Sequence, residues 1–181
     1  MDKAVFLDRD GVLNRVYVRD GKSYAPRNIK DFILLPYAVP SVKKLREAGY
    51  LVIVVTNQPD INNGLITREN VDKMHIQLKR KTLVNEIFLC PHSREENCGC
   101  RKPKAGMLIE AANLFHINLR KSFMIGDRAS DIAAGLEAGC RTIFINRKYN
   151  ETAPVTQEIT FLSIKSATNY IIKQNKCNDK F

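Results

Sequence analysis

The 181-residue chain has no tryptophan and only three histidines, and no long block of basic residues, although its formal net charge is +10. Such a surplus favours anionic partners, but by itself it does not separate nucleic acid, a small phosphate ester and a solvated basic surface. Lysine and arginine are spread along the chain, without the alternation of basic and aromatic side chains that would suit nucleic acid, so nucleic acid is disfavoured as a partner. No apolar run approaches the length of a membrane span. The first residues also lack the charged region, apolar stretch and small-residue cleavage site of a secretory signal. The expectation is a cytoplasmic protein without a membrane partner. Internal repeats and low-complexity tracts are absent. With 44% hydrophobic and 27% charged residues, the chain suits one globular domain over residues 1–181. No long exposed apolar stripe is visible, so a monomer is expected.

Five cysteines are present, at 90, 98, 100, 140 and 177. Three fall in one short loop beside His92, a clustering that suits a metal site better than a disulfide framework. Cys90, His92, Cys98 and Cys100 supply three thiolates and one imidazole, a complete tetrahedral shell for structural Zn²⁺ with no position left open for catalysis. The expected task of this loop, residues 90–100, is to fix the segment that presents Arg101 and Lys102. Cys140 and Cys177 stand apart and read as packing or surface residues. His75 and His116 have no partner at metal-ligand spacing and read as packed or solvent-exposed.

Apolar runs at 3–7, 50–55, 85–90, 121–125 and 141–145 predict strands, separated by helix-like or loop segments in an α/β rhythm. Helical spacing marks 36–48, which ends at Gly49, then 67–83 behind a Thr67 cap, 105–117, 131–138 and 163–173. Asp20-Gly21, between Tyr17-Val18 and Ser23-Tyr24, predicts a tight hairpin that forms a small flap. The interval from Asn14 to Pro36 is too short for an added cap domain, so loops alone should cover whatever lies beyond the first strand.

That first strand ends in Asp8-Arg9-Asp10-Gly11. Two carboxylates about 4 Å apart repel by about 4 kcal/mol at an effective dielectric near 20, so a fold that pairs them must supply a cation or a proton. A calcium loop does not account for the pair, because its glycine comes too early and Arg19 stands where the bidentate glutamate belongs. Three later apolar runs lead similarly into polar segments: Thr56-Asn57, the cysteine loop with Arg101-Lys102-Pro103, and Gly126-Asp127-Arg128-Ala129-Ser130-Asp131. In an open parallel sheet, ligands bind beyond the carboxyl ends of the strands, so these segments can converge on one site.

This ordered set, Asp-x-Asp, a strand-end Thr, a Lys and Gly-Asp-x-x-x-Asp, resembles the haloacid dehalogenase superfamily of phosphatases over roughly residues 1–150. With the cysteine loop added, it is similar to the branch that contains the D-glycero-D-manno-heptose 1,7-bisphosphate phosphatases and histidinol phosphatases. The resemblance implies a capless, three-layer Rossmann-like α/β fold with helices on both faces of a parallel sheet. It also implies a Mg²⁺-dependent phosphomonoesterase. Asp8 would attack phosphorus to give an aspartyl-phosphate, and Asp10 would protonate the leaving alkoxide and then deprotonate water. Asp8, the Asp10 carbonyl and Asp127 would hold Mg²⁺. Asp131 would orient Lys102 or bind through water, or else serve only as a carboxylate at a helix N-terminus. Thr56, Asn57 and Lys102 would hold the transferring phosphate, with Arg101 and Arg128 toward the rest of the substrate.

Relatives in this branch commonly read Thr-Asn-Gln-Ser-Gly-Ile-x-Arg-Gly after the second sheet strand. Here Thr56-Asn57-Gln58-Pro59-Asp60-Ile61-Asn62-Asn63-Gly64 replaces the arginine with Asn63, which cannot neutralise a second phosphate. The expected substrate is a small sugar phosphate, first D-glycero-D-manno-heptose 1,7-bisphosphate cleaved at its 7-phosphate. Histidinol phosphate, a 3′-phosphorylated DNA end, and a catalytically silent zinc-stabilised phosphate-binding module are the alternatives.

Overall fold

The computed structural model describes residues 2–150, 154 and 159–178, the side chains of 176–178 aside. In chain order the elements are β1 (Lys3–Leu7), β2 (Tyr17–Arg19), β3 (Lys22–Tyr24), α1 (Ala38–Glu47), β4 (Tyr50–Asn57), α2 (Arg68–Thr82), β5 (Glu86–Cys90), α3 (Gly106–Leu114), β6 (Phe123–Gly126), α4 (Ala129–Glu137), β7 (Arg141–Ile145), β8 (Ile159–Phe161) and α5 (Ile164–Asn178). Six of the strands form one parallel sheet in the order β5-β4-β1-β6-β7-β8. Five of them fall on the apolar runs predicted above. The sixth, β8, was not anticipated, because a three-residue edge strand leaves too short a pattern to read.

The central strands are continuously apolar over residues 4–7, 51–55 and 123–125 because both faces of the sheet are covered. Val5, Leu7, Val52, Val54, Phe123 and Ile125 pack with Val42 and Leu45 of α1, Val71, Met74 and Leu78 of α2, and Ile164 and Ile171 of α5. Their neighbours Ala4, Phe6, Ile53, Val55 and Met124 point the other way, onto Met107, Leu108 and Ala111 of α3 and Ala134 of α4. Phe6 is fully buried in this second layer, and its truncation to alanine would cost about 3–5 kcal/mol.

The chain runs outward from β1 through β4 to β5, then crosses back to place β6 on the opposite side of β1. The strand order therefore reverses at β1, and the carboxyl ends of β1, β4 and β6 border one crevice. Over it lies the β2–β3 hairpin, paired antiparallel about Asp20-Gly21. Both turn residues have positive φ, 51° and 73°, as a two-residue hairpin of matching twist requires. Among the described residues, no helix is long and apolar enough to cross a membrane.

Candidate active site

Asp8 follows the last residue of β1, and its backbone N–H donates to the Ile125 carbonyl of β6 at 2.9 Å. That bond ties the ends of the two strands together. The carboxylates of Asp8, Asp127 and Asp131 consequently lie within 4.8 Å of one another, all three buried. Lys102 reaches the same point from the loop between β5 and α3. Its ammonium donates to Asp8 Oδ1 at 2.6 Å and to the Val55 carbonyl at 2.7 Å, and pairs with Asp131 Oδ1 at 2.7 Å. An ammonium has three N–H bonds, and all three are used. Asn57 holds the Lys102 backbone in both directions, its amide donating to the Lys102 carbonyl at 3.0 Å and accepting from the Lys102 N–H at 3.1 Å.

Asp131 has a second task. Its Oδ2 accepts from the Arg128 N–H at 3.0 Å, capping the start of α4 while Oδ1 holds Lys102. The two roles considered for Asp131 from sequence are thus compatible in one side chain.

Asp10 sits in a different environment. Arg9 donates to both of its oxygens at 2.8 and 3.0 Å, Asn14 to Oδ1 at 2.8 Å, and Gln58 to Oδ2 at 2.6 Å. Burial alone would raise the pKa of Asp10; the Arg9 charge and these donors outweigh it and hold the carboxyl below its ordinary range. Asp8 shows the opposite balance, because burial pushes it up to about 6 against the pull of Lys102. Asp127 is raised well above the ordinary carboxylate range by burial and by the Asp8 and Asp131 charges.

Neither Asp127 oxygen has an aligned hydrogen-bond donor among the described residues, although the Tyr149 hydroxyl lies beside it. Four carboxylates (Asp8, Asp10, Asp127 and Asp131) thus face two fully or nearly fully buried cations, Lys102 and Arg9. The surplus of negative charge and the unpartnered Asp127 oxygens fit a hard divalent cation with oxygen ligands.

The remaining predicted residues line or underlie a cavity of about 620 Å³. Asn57, Arg101, Lys102 and Arg128 border it. Thr56 is fully buried beneath Gln58, whose amide donates to the Thr56 hydroxyl at 2.8 Å. Arg101 donates to the His92 carbonyl at 2.9 Å, and Arg128 to the Ser23 carbonyl and hydroxyl at 2.9 and 2.7 Å. Through Arg128 the flap is fastened to the site. Arg27 adds a second tie, to Asp60 at 2.6 Å.

Beside the cavity, Cys90, His92, Cys98 and Cys100 form a compact cluster. Four of its edges measure 3.3–3.6 Å. A tetrahedral zinc shell has edges of about 3.6–3.8 Å from its usual bond lengths, so the ligand atoms are already near that size. Cys98, although burial opposes it, is drawn down to about 7 by hydrogen bonds from Cys100, the Arg101 N–H and Cys90. Cys140 is buried, one of the two environments expected for it; the side chain of Cys177 lies outside the described residues.

Sequence reasoning missed Arg9, Asn14 and Gln58 as partners of Asp10, and His75 as a partner of Arg9 at 3.0 Å. One signal for His75 was available. It lies four residues after Val71 and three before Leu78, both buried, and therefore on the inward stripe of its helix.

Residues 99–161 match a family model described as "HAD-hyrolase-like". The D-glycero-beta-D-manno-heptose-1,7-bisphosphate 7-phosphatase of Helicobacter pylori strain J99 is 37% identical over 145 residues, covering 76% of this chain and 79% of that protein. The D-glycero-alpha-D-manno-heptose-1,7-bisphosphate 7-phosphatase of Photorhabdus laumondii is 33% identical over 167 residues, covering 86% and 88%. Among known structures, the D,D-heptose 1,7-bisphosphate phosphatase of B. bronchiseptica, complexed with magnesium and phosphate, superposes with a TM-score of 0.81 at 26% identity, covering 95% of this chain and 99% of that one.

Proposed function

The chain belongs to the heptose-1,7-bisphosphate 7-phosphatase family of HAD-like hydrolases, and on that premise we propose that it removes the 7-phosphate of D-glycero-D-manno-heptose 1,7-bisphosphate. It is a phosphoric monoester hydrolase. The observation that carries the reading is the meeting of Asp8, Asp127 and Asp131 around Lys102 at the switch point of the sheet.

Asp8 is the nucleophile in this scheme. Its carboxylate oxygen forms a bond to phosphorus as the bond from phosphorus to the sugar oxygen breaks, and Asp10, which must first take up a proton against the pull of Arg9, delivers it to that departing oxygen. Asp10 then takes a proton from the water that attacks the aspartyl-phosphate, which restores Asp8. Lys102 keeps Asp8 aimed and offsets its charge. Asn57 orients the transferring phosphate from the cavity wall with Thr56 buried behind it, while Arg101 and Arg128 face the rest of the substrate from the cavity wall. Asp8, the Asp10 backbone carbonyl and Asp127 would hold Mg²⁺, which supplies Lewis-acid stabilisation of the phosphoryl oxygens. Cys90, His92, Cys98 and Cys100 would hold Zn²⁺, a structural cross-link that would keep Arg101 and Lys102 in register.

We read residues 1–181 as one phosphatase domain, acting as a cytoplasmic monomer on a small sugar phosphate. The test is phosphate release by purified protein from three compounds: heptose bisphosphate, histidinol phosphate and a 3′-phosphorylated oligonucleotide. Fastest turnover of heptose bisphosphate, dependent on Mg²⁺ and abolished by Asp8→Asn, is expected. A clear preference for either of the others overturns the substrate assignment.

A further inference from the structure

We propose that His75 is a positioning residue for Asp10, acting through the buried guanidinium of Arg9. The inference rests on the reading of Asp10 as the acid-base group. Arg9 is fully buried, and one edge of its fork holds Asp10, with Nη2 donating at 2.8 and 3.0 Å and Nε at 3.3 Å. The opposite nitrogen, Nη1, lies 3.0 Å from Nε2 of His75. One face of the fork lies against Phe32, its central carbon 5.5 Å from the ring centroid.

A guanidinium is planar, rigid and always protonated. Nη1 is therefore the donor, and His75 Nε2 must be the acceptor, which puts the imidazole proton on Nδ1. Burial and the Arg9 charge, working in the same direction, push His75 down to about 3 and keep this neutral form. Fixing Nη1 fixes the tilt of the whole plane, and with it the two donors on Asp10. Residues 66 positions apart in sequence thus meet behind the catalytic turn.

His75 is also the link between that turn and a separate outer groove of about 450 Å³, which it lines with Arg68, Asp72, Lys79 and Glu86. These four charges pair among themselves, Arg68 with Asp72 at 2.8 Å and Lys79 with Glu86. Neither pair takes the place of the imidazole at Arg9. Loss of the acceptor leaves a buried charged donor unsatisfied, and the fork must tilt or admit water to recover a partner. Either response moves the carboxylate that has to meet the leaving oxygen. Misplacement of a reacting group by about 1 Å can cost about a hundredfold in rate.

The test uses the full-length, Mg²⁺-loaded protein on aryl phosphates ranging from nitrophenyl to unsubstituted phenyl phosphate. A nitrophenolate departs without a proton, whereas phenolate benefits from one, so the dependence of kcat/KM on the leaving group reports Asp10 function. His75→Leu should lose about tenfold or more on phenyl phosphate, much less on nitrophenyl phosphate, with KM little changed. His75→Gln retains an acceptor oxygen and should restore the wild-type dependence. If His75→Leu does not fold, His75→Asn, whose acceptor is drawn back from Arg9, replaces it. A loss of equal size on every substrate, no loss at all, or a Gln variant as damaged as the Leu variant overturns the proposal. Asp10→Asn in the same series separates the two readings. If it steepens the dependence while a folded His75→Leu does not, only the present inference fails; if Asp10→Asn changes nothing, both fail.

Discussion

Gly11 has no room for a side chain because the carboxylate of Asp127 fills the space where a Cβ would stand. An added methyl would lie 1.8 Å from Asp127 Oδ2 and 2.9 Å from the Tyr149 hydroxyl, on a backbone whose φ is +81°. The turn that carries Asp8 and Asp10 and the loop that carries Asp127 are therefore in direct contact. Gly11→Ala must displace Asp127 and also adopt a left-handed conformation, which costs about 1–2 kcal/mol on its own. We expect activity to fall about a hundredfold or more with a weaker apparent affinity for Mg²⁺. Steady-state phosphate release across a Mg²⁺ titration, with urea denaturation of the same samples, checks this; wild-type Mg²⁺ dependence in the alanine variant would contradict it.

The raised pKa of Asp8, about 6, sets a pH dependence whose sign can be worked out. Protonated Asp8 cannot attack phosphorus, so activity should rise with pH through an acid limb. A bound divalent cation favours the carboxylate, and more Mg²⁺ should shift that limb to lower pH. Stability of the metal-free protein runs the other way. An unfolded aspartate titrates near pH 4, so between about 4 and 6 the folded state holds a proton that the unfolded state has released. This group's contribution is greatest at the acid end of that window and declines as pH rises through it. Rate profiles at low and high Mg²⁺ test the first statement. Chemical denaturation of chelated wild type beside Asp8→Asn tests the second.

The elements that position the site were legible because its chemistry sits at strand ends and the strands are covered on both faces. A run such as Leu51 to Val55 announces a central parallel strand without knowledge of its neighbours, and the polar residue that ends it is then a candidate by topology alone. The Asp10 network was not legible. Arg9, Asn14 and Gln58 are ordinary turn residues until the β1 and β4 ends are set side by side, and then they supply Asp10 with its donors. His75 was hidden differently. Helical spacing gives the face on which a residue lies but not its depth or the partner that waits there. The flap ties have the same character, since Arg128 meets Ser23 across 105 positions.

The cysteine cluster yields a metal-specific prediction. Cys98→Ser replaces a soft thiolate with a hydroxyl and should lower bound zinc substantially, while leaving the Asp8, Asp127 and Asp131 group untouched. Because Arg101 and Lys102 directly follow Cys100, and Arg101 bonds the His92 carbonyl, the loop that aims Lys102 would lose its anchor. Activity should fall about tenfold or more, together with a lower melting temperature, and added Mg²⁺ should not restore it. Elemental analysis of purified wild type and variant decides the matter. Equal zinc in both, or none in the wild type, removes the zinc assignment.

Asp131 separates a charge effect from a shape effect. Asp131→Asn can still accept the Arg128 N–H through its amide oxygen, so the start of α4 survives. Lys102, however, loses one of its two anionic partners at a site where both groups are buried. Breaking a buried pair on one side typically costs about 3–5 kcal/mol, because the remaining charge is left uncompensated. Here Asp8 still faces the ammonium, so the lower end of that range is expected for stability. The rate should suffer more, because Lys102 is then drawn wholly to Asp8 and competes with phosphorus for the nucleophile. The expected outcome is a drop in kcat of about tenfold to a hundredfold with little change in KM. If kcat and the melting temperature both hold, Asp131 serves the helix and not the lysine.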